Sequence, residues 1–293
     1  EIEILSISNL QFRKGTIRNL PNFLNNHKLN FIGFSETIFL EDKININSIE
    51  AVKRITIHGE NITRIPDDIF CIDGLKYITI ENTLLKELDL PTDSNPELKE
   101  IIIRTNSKLE EVNGPIGING TLEHLEIFGC ENLVEFNISK NNKIEKLRIG
   151  SWSNNDIISK EFNKLFHLKE VIIDNYKTGR INIEFLESND IVKLKLFCPS
   201  ENNIESISKL DNLNNLQLSR QENCNTSIFL YDEIVSLKSL KNLRLNLGGN
   251  TTKLEFAAYI RKIQSVEFVQ LVDTYWKENG KIEIENVQVY INN

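Results

Sequence analysis

The sequence predicts an α/β solenoid: one parallel sheet of about 12–13 strands, with mixed helical and extended segments returning the chain behind it. Three observations predict it. A nine-residue pattern with apolar residues at positions 1, 4 and 6 recurs from one end of the chain to the other. Its copies begin at Ile2, Leu29, Val52, Leu75, Leu98, Leu122, Ile144, Leu168, Ile191, Leu213, Leu240 and Val266, with a shorter thirteenth copy at Ile284. The first twelve starts lie 22 to 27 residues apart, and within most copies positions 4 and 6 alternate with polar neighbours. That alternation is the period of a strand with one buried face.

Each element follows from this frame. A strand every ~23 residues with a return segment between cannot close as a hairpin, so neighbouring strands must be parallel. One coil cannot bury its apolar edge alone, whereas stacked coils share a continuous core. Leu125, Ile127, Leu147, Ile149, Val171 and Ile173 are the expected centre of that core. Four returns carry amphipathic helical patterns: Thr16–Asn25, Asp156–Phe166, Ser227–Leu237 and Leu254–Ile263. Between Glu87 and Asn142 the returns hold Pro91, Pro96, Gly114, Pro115, Gly117 and Gly120, which favour extended or single-turn conformations. Longer helical returns toward the C-terminal end should bend that part more. No Ser/Gly/Pro linker or charge block divides the chain, so residues 1–293 read as a single domain. The chain contains no Met and opens on a strand without a polar cap before Ile2. It is therefore expected to be a processed or trimmed product, with Glu1–Lys28 as an end cap or with residues preceding it.

The pattern resembles the leucine-rich repeat superfamily, in which LxxLxLxxN/CxL recurs every 20–29 residues. The resemblance covers nearly the whole chain and implies a right-handed β/α horseshoe with the parallel sheet on its concave side. The Ile65–Phe70 run, IPDDIF, also resembles the family consensus after a strand. The ninth position departs from the family. Only Asn106 and Cys130 carry the Asn or Cys that caps neighbouring coils from inside. Its loss elsewhere implies irregular turns after the strands.

Composition removes several function classes. Lys+Arg total 34 against 42 Asp+Glu, a net charge of −8, which argues against general nucleic-acid or anionic-membrane binding. No run approaches ~20 apolar residues, so membrane insertion is not expected. The 42 Ile, 38 Asn and 24 Lys point to an AT-rich genome. Four cysteines are too few for a disulfide scaffold, and neither end has the paired cysteines of animal extracellular relatives. Cys71, Cys130, Cys198 and Cys224 are read as free thiols; Cys198 and Cys224 sit on adjacent coils but at different points around the turn, which makes them the most plausible pair if any bridge forms. The compartment stays open between cytoplasm and a bacterial secreted or surface location.

No phosphate loop, zinc-protease helix or nucleophile elbow is present, so neither catalysis nor a cofactor is expected. His58 and His124 lie three repeats apart, about 14 Å along the sheet, too far to share a metal. The outward strand positions are what remain. The middle copies mix signs through Lys99, Glu100, Arg104, Glu123, Glu126, Glu145, Lys146, Arg148, Glu170 and Asp174, the pattern of a salt-bridge ladder. Repeats 9 to 11 differ. Lys193, Lys195, Arg220, Lys241 and Arg244 face outward with Phe197 and no acidic residue among them, while Asn214, Asn215, Gln217, Asn242 and Asn246 supply neutral donors and acceptors. Such clustering predicts a site for an acidic segment of a partner protein, held by Lys193, Lys195, Phe197, Gln217, Arg220, Lys241 and Arg244. The expected function is protein recognition through the sheet. The alternatives are the substrate-recognition region of a larger effector or ligase chain, and a secreted or surface bacterial adhesin. A carbohydrate face would call for grouped aromatics, whereas Phe31, Tyr77, Phe128, Phe197 and Phe268 are scattered.

Overall fold

A computed structural model describes residues 9–19, 29–44, 52–90, 97–150, 160–174, 182–199, 201–219, 231–246, 253–272 and 284–292. They fall into two compact units, residues 1–165 and 166–293. The first holds β1 (Asn9–Ile17), β2 (Phe31–Phe39), β3 (Arg54–His58), β4 (Tyr77–Glu81), β5 (Glu87–Asp89), β6 (Glu100–Arg104), β7 (Glu111–Ile116), β8 (His124–Phe128), β9 (Glu135–Ile138) and β10 (Lys146–Gly150). The second holds β11 (Glu170–Asp174), β12 (Lys193–Phe197), β13 (Asn215–Ser219), β14 (Asn242–Leu245), β15 (Phe268–Val272) and β16 (Gln288–Asn292). Thirteen of these strands are long-ladder parallel strands: seven in the first unit, ordered β1-β2-β3-β4-β6-β8-β10, and six in the second, ordered β11 to β16. Short returns join them, an arrangement compatible with a repeat solenoid.

The strands occupy positions 3 to 7 of the repeat, and positions 4 and 6 form the core as their period requires. Leu125, Ile127, Leu147, Ile149, Val171 and Ile173 are all buried. Full burial of such a side chain contributes about 1.5–3 kcal/mol. Registers run without slippage from β2 to β8 and from β11 to β15: Ile55 pairs with Ile78, Ile101 with Leu125, and Leu194 with Leu216.

Both ends of the repeat frame need correction. β1 begins at Asn9, which pairs with Phe31, so the first copy that joins the ladder starts at Ile7 rather than Ile2. Its inward residues are Leu10 and Phe12, and Phe12 stacks on Phe34 with centroids 5.3 Å apart. At the other end Phe268 pairs with Gln288, which moves the thirteenth start from Ile284 to Asn286. Ile284 instead accepts a turn hydrogen bond from the Val287 amide.

The turn after the strand recurs instead of varying. Position 8 is left-handed in Lys14, Glu36, Asn82, Thr105 and Cys198, with φ between 47° and 54°, and Gly59 and Gly129 fill it with positive φ. There the amide of Asn82, Thr105, Gly129 or Cys198 donates to the position-7 carbonyl of the next coil. The ladder thus continues through the bend, and among the described position-8 residues one device recurs where irregular turns were expected. Position 9 then points inward in several coils, whereas Gly15 and Glu60 are exposed there. Asn106 accepts hydrogen bonds from the Thr83 amide and hydroxyl at 2.9 and 2.7 Å and donates to the Ile80 carbonyl. Thr37 and Cys130 are also buried there.

Behind the first unit's long ladder, β5, β7 and β9 form a second parallel sheet. Gly114 allows the bulge between Val112 and Pro115, because a Cβ there would lie 2.0 Å from the Leu90 carbonyl oxygen. The IPDDIF run forms a 3₁₀ turn at Asp67–Cys71. In the second unit the returns include Glu184–Ser188 as a 3₁₀ turn and helices at Glu201–Ile207, Asp232–Val235 and Lys253–Lys262. The last buries Phe256, Tyr259, Ile260 and Ile263 along one face, as expected for Leu254–Ile263. The expected Ser227–Leu237 helix is present only as Asp232–Val235, with residues 227–230 outside the described set. For Asp156–Phe166, residues 160–162 are helical and 156–159 lie outside that set. In Thr16–Asn25, Thr16 and Ile17 end β1 instead of opening a helix, because they pair with Ile38 and Phe39. Residues 20–25 lie outside the described set.

Candidate functional site

The face of each sheet opposite the core carries positions 3, 5 and 7. In the first unit these residues neutralise one another. Glu126 on β8 is only 2% exposed although it points away from the core. Arg104 on β6 grips it with both donors, Nε to Oε1 and Nη2 to Oε2, and Arg148 on β10 approaches Oε1 at 3.4 Å. The hydrogen bond to Glu126 holds the Arg104 guanidinium above its ordinary pKa. Arg148 also lies over the Phe128 ring, 4.8 Å from its centroid. One row over, His124 Nδ1 meets Glu100 at 2.8 Å and Arg54 reaches the same carboxylate at 3.6 Å while covering Tyr77. Lys99 pairs with Glu123 at 2.8 Å. His58, three repeats from His124, faces Glu81 at 3.6 Å, beyond hydrogen-bond range. Lys99, Glu100, Arg104, Glu123, Glu126 and Arg148 of the mixed-charge copies therefore pair as the expected ladder requires.

The second unit presents a different face. Position 5 runs Lys195, Gln217, Arg244 and Gln270 on β12 to β15, and position 3 runs Lys193, Asn215, Asn242 and Phe268 beside it. Those two rows of four line a shallow hollow of about 250 Å³, floored by Leu194, Leu216 and Leu243. Of the seven residues that the sequence singles out, Lys193, Lys195, Gln217 and Arg244 line the hollow. Phe197 stands at its edge beneath Lys195, whose Nζ lies 4.7 Å from the ring centroid. Lys241 lies outside the lining, and Arg220 falls outside the described residues.

The expectation that no acidic residue joins the cluster is corrected at both flanks. Lys193 pairs with Glu170 at 3.7 Å and Lys241 with Glu267 at 3.2 Å. Parallel pairing sets Glu170 of β11 directly against Lys193, and Glu267 immediately precedes β15 beside Lys241. Arg244 differs from both. It is exposed, and no described carboxylate pairs with it. Gln217 donates from Nε2 to Ser219 Oγ, and the Asn214, Asn215 and Asn242 amides are linked. Sequence reasoning missed Phe268 and Gln270 as members of the site. Their positions 3 and 5 in the next copy were the available signal. Tyr290 extends the aromatic edge, stacked on Phe268 with centroids 5.1 Å apart.

The cysteines also need correction. Cys71 and Cys130 are free, but Cys198 is disulfide-bonded, so the reading of four free thiols does not hold. The one remaining cysteine, Cys224, lies outside the described residues. Burial pushes the Cys130 thiol up to about 12. Among the described residues no three His, Cys, Asp or Glu side chains gather as metal ligands, and no helix is long and apolar enough to cross a membrane. Comparison with protein-family models and with curated proteins finds no match to this chain.

Proposed function

We propose that the chain is a protein-recognition module built as a leucine-rich repeat solenoid of the horseshoe type, a binding domain and not an enzyme. The observation that carries this reading is the hollow on the second unit, where Lys193, Lys195 and Arg244 stand among Asn215, Gln217, Asn242 and Gln270. Cations beside a continuous row of amides suit a polypeptide, which brings both carboxylates and backbone hydrogen-bonding groups. The partner is a protein carrying an acidic segment. Selection of displayed dodecapeptides on the purified chain tests it. Acidic sequences should be enriched, fail to bind the Lys195→Glu/Arg244→Glu variant, and be released at about 1 M salt, where the Debye length is about 3 Å. Selected peptides that bind this variant as well as the parent would place recognition elsewhere.

A secreted or surface-attached adhesin is the second reading, supported by the disulfide at Cys198, since such bonds persist in oxidising compartments. Denaturation without reductant followed by alkylation and peptide mass analysis tests it. Cys71 and Cys130 should be labelled and Cys198 protected. Labelling of Cys198 in protein isolated from its native source would remove this support.

A further inference from the structure

The spacing of the hollow selects among peptide conformations, and this inference rests on the recognition reading above. We propose that the hollow takes an acidic, proline-containing segment in the polyproline II conformation, running across the strands with carboxylates at every third residue. Lys195 and Arg244 both occupy position 5, on β12 and β14, with Gln217 of β13 between them. Strands in a sheet lie about 4.8 Å apart, so the backbone positions that carry the two cations stand about 9.6 Å from each other along the hollow. A polyproline II chain has three residues per turn and rises about 3.1 Å per residue, which returns a side chain to the same face after about 9.3 Å.

Other backbones fit this gap less well. An extended strand presents residues two apart on one face, at only about 6.7 Å, and turns residue three to the opposite side. An α-helix rises only about 1.5 Å per residue, so neighbours three or four apart on one face lie about 4.5–6 Å from each other, short of this spacing. The rest of the lining suits the same occupant. Polyproline II makes no internal hydrogen bonds, so its carbonyls and amides need outside partners. Asn215, Gln217, Asn242 and Gln270 provide amides that both donate and accept. Phe268, backed by Tyr290, offers a ring for proline to pack on at one end of the hollow. Arg244 has no described carboxylate partner and can take an incoming one with two donors.

Fluorescence anisotropy with three synthetic peptides tests the proposal: Glu-Pro-Pro repeated four times, a peptide of equal length and glutamate number with Glu at alternate positions, and Gln-Pro-Pro repeated four times. Glu-Pro-Pro should bind at least about tenfold tighter than either control, a gap of about 1.4 kcal/mol. Lys195→Gln/Arg244→Gln, checked for unchanged thermal unfolding, should abolish that preference. Equal affinity for the two glutamate spacings would overturn the proposal, as would a preference that survives the variant. If none of the three binds while display-selected peptides do, the polyproline occupant is wrong and protein recognition stands. If polygalacturonate binds the hollow and no peptide does, both readings fail together in favour of an acidic glycan.

Discussion

The two units share one repeat frame and one inward pattern, yet their open faces have opposite characters. In the first, Arg104 and Arg148 converge on a buried Glu126, and Glu100 ties His124 to Arg54. In the second, Gln217 and Arg244 hold position 5, the equivalent place on neighbouring strands, and Arg244 meets no described carboxylate. A charge ladder whose members satisfy one another has little left to offer a partner, and its worth is structural. An amide row in which Asn215, Gln217 and Asn242 each give one donor to a neighbour, beside a guanidinium with no described carboxylate, keeps the rest of its hydrogen-bonding capacity for something else. One repeat frame thus carries a self-paired charge face in one unit and an amide-rich face in the other, according to what stands at positions 3, 5 and 7.

The largest expected effect tests what the units have in common. Leu147 is 2% exposed and Leu216 is 1% exposed, both at position 4. Leu147→Asp and Leu216→Asp should each lose more than about 4 kcal/mol, since an unpaired carboxylate cannot be accommodated in a stacked core. Chemical denaturation followed by circular dichroism measures it. A mild effect in one unit alone would show that the shared register fails there.

The next effect concerns the charge ladder itself. Glu126→Ala leaves Arg104 and Arg148 crowded without their counter-charge and should cost about 3 kcal/mol. The triple change Arg104→Met, Glu126→Leu and Arg148→Met should recover much of that loss, because a packed apolar cluster replaces the ion triad. If Glu126→Ala unfolds at the same denaturant concentration as the parent, the first unit's face is no more self-supporting than the second's.

A third test uses alkaline pH. The Cys130 thiol, in the first unit, is raised by burial from 9.0 to about 12. A folded-state pKa above the unfolded one gives stability that is complete below the unfolded value and is lost as pH rises toward the folded value. Between pH 9 and 12 the parent should therefore lose up to about 1.4 kcal/mol per pH unit through this group. Cys130→Ala should flatten that slope. Tyr259 in the second unit, raised by burial and then by Asp232 and Glu233, should add a loss that Cys130→Ala leaves in place. An unchanged slope in Cys130→Ala would assign the alkaline loss to other groups.

Much of this fold was legible because a period-2 apolar pattern repeated every ~23 residues leaves few alternatives. What escaped had no such period. Glu126 looked like any outward carboxylate, since its burial depends on arginines one strand away on each side, Arg104 and Arg148, each 22 residues distant in sequence. The turn at position 8 was hidden because Lys14, Thr105 and Cys198 adopt the left-handed conformation without being glycine. That same turn, had it been recognised, would have set the first copy at Ile7. At the site, Lys195, Gln217 and Arg244 were found because they repeat at position 5, while Glu170 and Glu267 were missed because they come from the copies flanking the cluster.

The smallest expected effect separates the two faces most sharply. Arg104→Ala removes the main partner of a carboxylate that is 2% exposed, and the desolvated charge left behind should cost about 2–3 kcal/mol. Arg244→Ala removes a guanidinium that is exposed and joined to no described carboxylate, so no buried group is orphaned. Its stability should stay within about 0.5 kcal/mol of the parent. Thermal unfolding of both variants at low and at physiological salt gives the comparison. Equal losses from the two substitutions would mean that Arg244 supports the fold as Arg104 does, and the second unit's face would then be another ladder instead of a surface kept for a partner.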